Sequence, residues 1–300
     1  MSQQRPGTKC LHAGYRPENG EPRNIPIIQS TTFRYATGEQ MGALFDLEAN
    51  GYFYTRLQNP TNDHVAAKIC ALEGGIFDDE LDMALYEDET LRYFANIVGR
   101  YSGPAQKAIA KVRALDLKII CPAHGPILRS NPQHIVDLYD KWSSHKTDEG
   151  IVVVYGSMYG NTKFMTDTIA RAACEAGVKD VIVHDASRSN LSYIVRDIWK
   201  YRGLVLGSCT YNTELYPPMA TLCRALKNKM MKNRVLGICG SYSWSKGALA
   251  ELQVFAEQGG DWKLVEPTIE VKSSPTEADL ELCRELGRNM AEAVKAAEAK

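Results

Sequence analysis

Several features that would assign a chain to a class at once are missing from this sequence. No stretch approaches the roughly 18 apolar residues of a membrane span, and the first residues, MSQQRPGTKC, have no signal-peptide apolar core. The eight cysteines include no Cys-x-x-Cys pair, which argues against a disulfide framework or a zinc site. The net charge of −1 gives no electrostatic reason to expect nucleic acid or an anionic membrane as a partner. We therefore expect a cytoplasmic protein with reduced thiols.

The overall amino-acid composition is that of a globular protein. Apolar residues make up 44% of the chain and charged residues 24%. Its 300 residues are enough for roughly two domains of about 150 residues each, and hence for a substantial buried core.

The most informative stretch is IVVVYGSMYGNT at residues 151–162. Its apolar run at 151–154 predicts a buried parallel strand, and the apolar spacing of Met165, Ile169 and 172–173 predicts a helix after the loop. A strand, a hydroxyl-rich loop and a helix N-terminus are typical of a phosphate site, because free backbone N–H groups and the helix dipole favour an anion there.

This loop lacks the residues of the two common nucleotide-binding loops. It has one glycine and no lysine, so it is not the GxxxxGK[ST] loop of nucleoside triphosphatases, and it has no GxGxxG motif. A loop suited to one terminal phosphate remains, as in flavin mononucleotide (FMN). The alternative is an ordinary turn between a strand and a helix.

Further strand-like runs follow at the spacing of βαβ units. They lie at 181–183, 203–207, 234–239, 264–265 and 269–271, ahead of a closing helix at 277–300. This alternation predicts an α/β fold with a doubly wound, five-stranded parallel sheet that binds ligands at the carboxyl ends of its strands. Two of those ends carry Tyr211, Tyr242 and Trp244, which offer flat faces to a planar ring. Ordinary packing is the alternative for at least one of these aromatic residues.

Three motifs, SMYGNT at 157–162, GSCTYN at 207–212 and GSYSWS at 240–245, resemble the flavodoxin-like domain of the flavodiiron proteins, or A-type flavoproteins. The resemblance runs from about Ile76 to the C-terminus. It implies a flavodoxin-like domain at 149–300 whose FMN accepts electrons from a redox partner, such as rubredoxin or a flavin or deazaflavin reductant. In the family these electrons pass to a diiron centre in a preceding metallo-β-lactamase-like domain, where dioxygen or nitric oxide is reduced.

The resemblance also implies which residues bind the cofactor. The first loop would hold the phosphate with Ser157, Met158, Tyr159, Gly160, Asn161 and Thr162. The second and third loops would line the isoalloxazine ring with Ser208, Thr210, Tyr211, Asn212, Gly240, Ser241, Tyr242, Ser243 and Trp244. Within the first loop, the Thr162 hydroxyl is expected to donate a hydrogen bond to the phosphate.

Residues 76–148 resemble the C-terminal end of the lactamase-like domain, but its iron ligands are incomplete. The family takes them from an HxExDH run, a further His, a bridging Asp and a last His, and only the last has a counterpart, His124. The bridging Asp would fall near AAKIC at 66–70, and the acidic residues 78–80 are interpreted as a solvated turn. One imidazole cannot hold two irons, so we expect no assembled diiron site, no catalytic residues and no reduction of dioxygen or nitric oxide.

Residues 1–75 resemble a different family, the PLP-dependent transsulfuration enzymes, close to the O-acetylhomoserine sulfhydrylases. The matching stretches are TKCLHAGYRPENGEPRNIPIIQSTTF at 8–33, YFYTRLQNPTNDHV at 52–65 and ALEGG at 71–75. In that family, residues matching Tyr54 and Arg56 reach the cofactor phosphate of a neighbouring subunit, so a homo-oligomer is compatible with the match. The Schiff-base lysine lies beyond the matched part, so we expect no PLP catalysis and interpret Tyr54 and Arg56 as surface residues.

The two resemblances meet at 71–75, and we interpret the sequence as a chimera joined there. Recombination, sequence misassembly and an evolved fusion stay open as its origin. Two functions follow: an FMN-binding electron-transfer protein whose diiron centre is lost, and a truncated PLP-family fragment that is inactive or an interaction module. In either case residues 1–75 are expected to be poorly packed.

Overall fold

The computed structural model describes residues 13–296 except 47, 50, 56–57 and 74–75. The chain divides into two compact units. One consists of Met1–Met83 and Lys118–Ser130, and the other of Ala84–Leu117 and Asn131–Lys300. Within the described ranges, no helix combines the length and the apolar character that a membrane crossing requires.

The elements are numbered here in chain order. The α-helices are α1 (Gly38–Phe45), α2 (Pro60–Glu73), α3 (Met83–Tyr93), α4 (Ser102–Val112), α5 (Pro132–Ser143), α6 (Asn161–Glu175), α7 (Leu191–Lys200), α8 (Pro217–Lys227), α9 (Ala248–Gln258) and α10 (Glu277–Ala296). The strands are β1 (Asp148–Gly156), β2 (Val181–Asp185), β3 (Tyr201–Tyr211), β4 (Glu214–Leu215), β5 (Arg234–Tyr242), β6 (Trp262–Leu264) and β7 (Ile269–Lys272). A π-helical turn, Phe94–Val98, and a 3-10 turn, Gly99–Tyr101, join α3 to α4.

The larger unit is built on a parallel sheet in the order β2-β1-β3-β5-β6. The predicted α/β fold with a parallel sheet is therefore confirmed. The predicted last strand is divided in two: β6 pairs with the first half of β5 and β7 with the second half. Pro267 lies between β6 and β7, where it has no N–H to donate to a continuous ladder.

The apolar run of β1 is buried on both faces of the sheet. Ile151 and Val153 belong to the core covered by α6 and α10, whereas Val152 and Val154 belong to the core covered by α7, α8 and α9. All four side chains are fully buried. A strand whose successive side chains enter two different cores has to be apolar throughout, because alternate side chains point to opposite faces.

Residues 84–117 and 131–147 pack on the same unit as the sheet. Phe94, in the π-helical turn, is fully buried, and its ring lies 5.5 Å from that of Trp142 and 5.6 Å from that of Trp199, centroid to centroid. Trp199 belongs to α7, which covers the sheet. Part of the segment at 76–148 is therefore held by aromatic contacts to a helix that covers the sheet.

In the smaller unit, Leu44 and Asn59 are the buried side chains among those described between 13 and 73. Asn59 organises the NPT turn, since its Oδ1 accepts from the Thr61 N–H at 2.9 Å and its Nδ2 donates to the Ile28 carbonyl at 3.1 Å. Tyr54, half-buried, forms an isolated antiparallel bridge with Thr32. Arg56, which was interpreted together with Tyr54 as a surface residue, lies outside the described residues.

The π-helical turn is followed by Gly99, which packs directly on the ring of Trp199. A Cβ at Gly99 would lie 2.6 Å from two ring carbons of that fully buried tryptophan. We expect Gly99→Ala to lower the free energy of unfolding by roughly 1–3 kcal/mol, because neither the ring nor the helix has room to move. The midpoint and slope of urea unfolding measure this change.

Gly103→Ala is the matched control for that substitution. Gly103 is exposed in the next turn of the chain, and a Cβ there would meet no described atom within 4 Å. We expect this variant to be as stable as the parent, or more stable by up to about 1 kcal/mol, because alanine restricts the unfolded chain. If Gly99→Ala and Gly103→Ala lower the free energy of unfolding equally, the contact with Trp199 is not the cause of the destabilisation.

His145 is buried beside Trp199, with a φ of 56° that places it in the left-handed region. Burial, together with the positive charges of Arg234 and Lys232, lowers the pKa of His145 from 6.5 to about 4. The unfolded chain therefore binds a proton at this site below about pH 6.5, whereas the folded protein binds it only near pH 4. Folding stability should fall as the pH drops through this window.

We expect His145→Asn to reduce that dependence, because asparagine does not titrate and tolerates the left-handed backbone. At about 1.4 kcal/mol per pKa unit, the pH-dependent loss in the parent is at most about 3 kcal/mol between pH 6.5 and pH 4. Thermal or urea unfolding of both proteins across this range is the measurement. Parallel pH profiles would contradict the assignment to His145.

Candidate functional site

A cavity of about 280 Å³ opens where β1, β3 and β5 end. Ligands of doubly wound sheets bind at this edge, because the carboxyl ends of parallel strands and the loops that follow them meet there. The volume is at the lower end of the roughly 300–1,000 Å³ of ordinary ligand pockets. Its lining residues are Ser157, Met158, Tyr159, Asn161, Cys209, Thr210, Tyr211, Asn212, Thr213, Ser241, Tyr242, Ser243, Trp244 and Ser245.

The first loop leads from β1 into α6 through a tight turn. Gly160 precedes the first helical residue, Asn161, with a φ of 90°, a conformation that glycine adopts without strain. The Ser157 hydroxyl accepts the Gly160 N–H at 3.0 Å and so closes the loop on itself. The N–H groups of the first helical turn have no acceptor within the helix and point toward this loop, which makes it a suitable place for an anion.

The structure brings most of the predicted cofactor-binding residues to this cavity. Four others, Gly160, Thr162, Ser208 and Gly240, lie within the same three motifs but not in the lining of the cavity. Three lining residues were not predicted: Cys209, Thr213 and Ser245. Each of the three lies inside or directly after a predicted motif, so the positions of the motifs were the available signal.

The hydroxyl groups of Thr162 and Ser208 make hydrogen bonds inside the protein. Thr162 is fully buried, and its Oγ1 lies 2.8 Å from the Oγ of Ser241. The Ser208 Oγ donates to the Cys209 carbonyl at 2.9 Å and accepts the Tyr216 N–H at 3.2 Å. Both side chains therefore organise the loops that surround the cavity.

The aromatic residues at the rim are exposed. Trp244 is 92% exposed, Tyr159 85% and Tyr211 43%. The alternative of ordinary packing applies best to Tyr211, whose ring lies 6.3 Å from that of Tyr216 in an edge contact. Trp244 and Tyr159 both line the cavity with exposed rings, so they can receive a planar ring.

The second and third loops are joined by a hydrogen bond to a side chain and by a close approach of their backbones. The Ala248 N–H donates to the Thr210 Oγ1 at 3.2 Å, and a Cβ at Gly247 would lie only 1.9 Å from the Thr213 carbonyl oxygen. Glycine is required at 247 because the backbone of the second loop occupies the space of a side chain. The two sides of the cavity that these loops form are consequently fixed to each other.

Lys246, which directly follows the third motif, is paired with a carboxylate. The Lys246 Nζ lies 2.6 Å from the Glu270 Oε2, and this contact raises the pKa of Lys246. Burial raises the pKa of the Cys209 thiol, so it remains protonated at neutral pH. A protonated thiol is a poor nucleophile. The other lining residues offer hydrogen-bond donors and flat aromatic faces that can bind a ligand.

The segment similar to the lactamase-like domain shows a different arrangement. His124 is exposed, and among the described residues no three His, Cys, Asp or Glu side chains come together as metal ligands. The interpretation of 78–80 as a solvated turn is wrong for Asp78, which is buried and accepts from the backbone N–H groups of Arg129 at 3.0 Å and Ser130 at 3.1 Å. These bonds tie the turn to the 118–130 segment.

In comparisons with known proteins, the two parts of the chain match different family models. A family model described as "Flavodoxin" matches residues 153–287, and one described as "Cys/Met metabolism PLP-dependent enzyme" matches residues 7–78. The anaerobic nitric oxide reductase flavorubredoxin of Escherichia coli O1:K1 / APEC is 29% identical over 234 residues, which are 77% of this chain and 48% of that protein. The flavorubredoxin of Shigella flexneri shows the same identity and coverage.

Two solved structures have the same architecture. Rubredoxin oxygen:oxidoreductase from Desulfovibrio gigas matches with a TM-score of 0.71 and 27% identity, over 75% of this chain and 56% of that one. The flavodiiron protein from Giardia intestinalis shares the fold, with a TM-score of 0.69 and 23% identity over 73% and 55% of the two chains. The predicted resemblances to flavodiiron proteins and to PLP-dependent enzymes are confirmed, and the chain spans about half the length of the relatives it matches.

Proposed function

We propose that this chain, whose C-terminal three-quarters is similar to flavodiiron proteins, binds FMN at the carboxyl edge of its sheet and transfers electrons. The observation that carries the proposal is the cavity itself. It combines a helix N-terminus, a lining rich in hydroxyl groups and the exposed rings of Trp244 and Tyr159. This set suits a ligand with one phosphate and one planar ring system.

The phosphate end would be held by the first loop. The free N–H groups at the start of α6, including those of Asn161 and Thr162, would donate to the phosphate oxygens, and the helix dipole adds to the attraction. Ser157 and Asn161 line the cavity and would contribute side-chain donors. Gly160 allows the turn that directs these groups to one point.

The ring end would lie between the second and third loops. Trp244 and Tyr159 would cover the faces of the ring, while Thr210, Asn212 and Ser243 line the cavity and would hydrogen-bond to its polar edge. Bound FMN supplies one- and two-electron transfer. The residues of the chain orient the ring, exclude water from its faces and leave its edge open to a redox partner, for which a rubredoxin or a flavin or deazaflavin reductant is the candidate.

We further propose that this chain does not reduce dioxygen or nitric oxide, although its relatives carry those activities in their names. The support is the sequence, in which His124 is the one counterpart of the family's iron ligands and no HxExDH run occurs. The proposed organisation is accordingly a PLP-family segment at 1–75, a remnant of the lactamase-like domain at 76–148 and a flavodoxin-like domain at 149–300.

A fragment of the PLP-dependent family, inactive or serving as an interaction module, is the second candidate. The match at residues 7–78 favours it for that part of the chain alone. The absorbance of the purified protein separates the two candidates. Bound flavin gives two bands that bleach on reduction, whereas a PLP-family fragment without the Schiff-base lysine forms no internal aldimine and gives no such bands.

The proposed stacking of Trp244 on the flavin ring predicts how strongly its removal weakens FMN binding. We expect Trp244→Ala to weaken FMN binding by roughly 0.5–1.5 kcal/mol, or about 2- to 12-fold in Kd, because one ring face is lost while the phosphate contacts stay. Quenching of FMN fluorescence on titration with the apoprotein measures this.

Tyr101→Ala is the control for the Trp244 substitution. Tyr101 is 59% exposed in the turn before α4 and does not line the cavity. We expect it to bind FMN as the parent does. If the parent itself fails to quench FMN at micromolar concentrations, the assignment of the cavity is wrong.

The iron content supplies a separate prediction. We expect less than about one iron per chain after anaerobic reconstitution with ferrous iron and removal of the excess, because one His cannot hold a diiron pair. Metal analysis of the parent and of His124→Ala measures this. Two irons in the parent that are lost in His124→Ala would show that an unrecognised ligand set converges on His124.

A further inference from the structure

We propose that the open edge of β6, together with the groove between β6 and α9, binds an extended basic segment of a partner protein as an additional strand. The groove has a volume of about 570 Å³ and is lined by residues of β6, of α9 and of the turn between them. It lies beside the first half of β5, whereas the cofactor cavity opens where β5 ends. The proposal is therefore separate from FMN binding, and each can fail without the other.

The backbone of β6 has unused hydrogen-bonding groups on its outer side. The Val265 N–H donates to the Leu236 carbonyl of β5 at 2.8 Å, so the backbone of residue 265 faces β5. Successive residues of a strand alternate in the side to which their N–H and C=O groups point, and those of Trp262 and Leu264 consequently point away from β5. Among the described residues no strand lies beyond β6, so these four groups are available to an added strand.

An added strand would also find an apolar surface on the face that α9 covers. Trp262 is buried in the core beneath α9, and its ring lies 5.6 Å from that of Phe255, centroid to centroid. Leu264, two residues further along the strand, points to the same face and is exposed. A strand paired with β6 would place every second side chain beside Leu264 and α9, which is how strand addition combines backbone bonds with side-chain contacts.

The charges of the groove indicate the chemistry of the partner. Glu257 and Asp261 line it, and none of the described lining residues is a lysine or an arginine. Lys263 points to the opposite face of the sheet, since side chains alternate along the strand. The Asp261 Oδ2 accepts the Asn233 N–H at 3.3 Å, whereas no ion pair involves Glu257 in the described part of the chain. Glu257 is therefore the carboxylate that a basic side chain would meet, and a second copy of this chain would bring its own acidic lining to the same place.

The test uses a capped hexapeptide of alternating lysine and threonine as the probe. Titration into the full-length, ¹⁵N-labelled protein is followed by the backbone amide signals of Trp262 and Leu264. We expect both signals to shift in a saturable way, with a Kd of roughly 0.1–1 mM, because a short flexible segment loses much entropy on binding. The same peptide N-methylated at every second residue lacks the donors of one edge, and a glutamate–threonine peptide has the wrong charge. Neither should bind.

Two pairs of variants separate the backbone contribution from the charge. Leu264→Pro removes an N–H that the sheet does not use and should weaken the lysine peptide at least about tenfold, whereas Leu264→Ala keeps that N–H and should weaken it less than about threefold. Glu257→Gln should weaken it roughly threefold and reduce its dependence on salt. Glu285→Gln, exposed on α10 and outside the groove, should bind as the parent does.

Several results would overturn the inference. They are an absence of shifts at Trp262 and Leu264, equal binding of the N-methylated or the glutamate peptide, and equal affinity of Glu257→Gln and the parent. A parent dimer that Leu264→Pro converts to a monomer would show that a second copy occupies the edge instead. The peptide controls and Glu257→Gln decide the question even if Leu264→Pro does not fold. Titration of the Leu264 and Glu257 variants with FMN should give the parent's affinity, which keeps this test apart from that of the proposed function.

Discussion

The complete burial of β1 between two cores is the constraint on which the rest of the larger unit depends. Its side chains alternate between the core beneath α6 and α10 and the core beneath α7, α8 and α9. The neighbouring strands run parallel, and the helical crossovers that connect them cover both faces of the sheet. That arrangement brings the ends of β1, β3 and β5 to one edge of the sheet, and the cavity is a consequence of it.

Side-chain and backbone contacts between the loops then give this edge its shape. Thr162 ties the first loop to the third, and Thr210 together with Gly247 ties the second loop to the third. These contacts are made by residues without charge, and the pair of Thr162 and Ser241 is buried. The site is therefore assembled in advance of any ligand, which reduces the entropy that binding has to overcome.

The sequence predicted the parts of this structure that follow from local pattern. The apolar run at 151–154, the strand-loop-helix order and the three motifs were sufficient to locate the sheet edge and most of the residues around the cavity. They were insufficient for Asp78, because a carboxylate near a loop looks the same in sequence whether it faces solvent or a buried partner. The attachment of residues 84–117 to the sheet also escaped prediction, since it depends on contacts between Phe94, Trp142 and Trp199 that are far apart in the chain.

The larger unit consists of two stretches of the chain, Ala84–Leu117 and Asn131–Lys300, which the ribosome synthesises at different times. The ribosome delivers α3, the π-helical turn and α4 well before Trp199 exists, and the 118–130 segment, which belongs to the other unit, comes in between. Phe94 is therefore synthesised about one hundred residues ahead of the tryptophan that completes its burial, a delay of several seconds at typical elongation rates. During that interval its aromatic surface is available to chaperones and to other nascent chains.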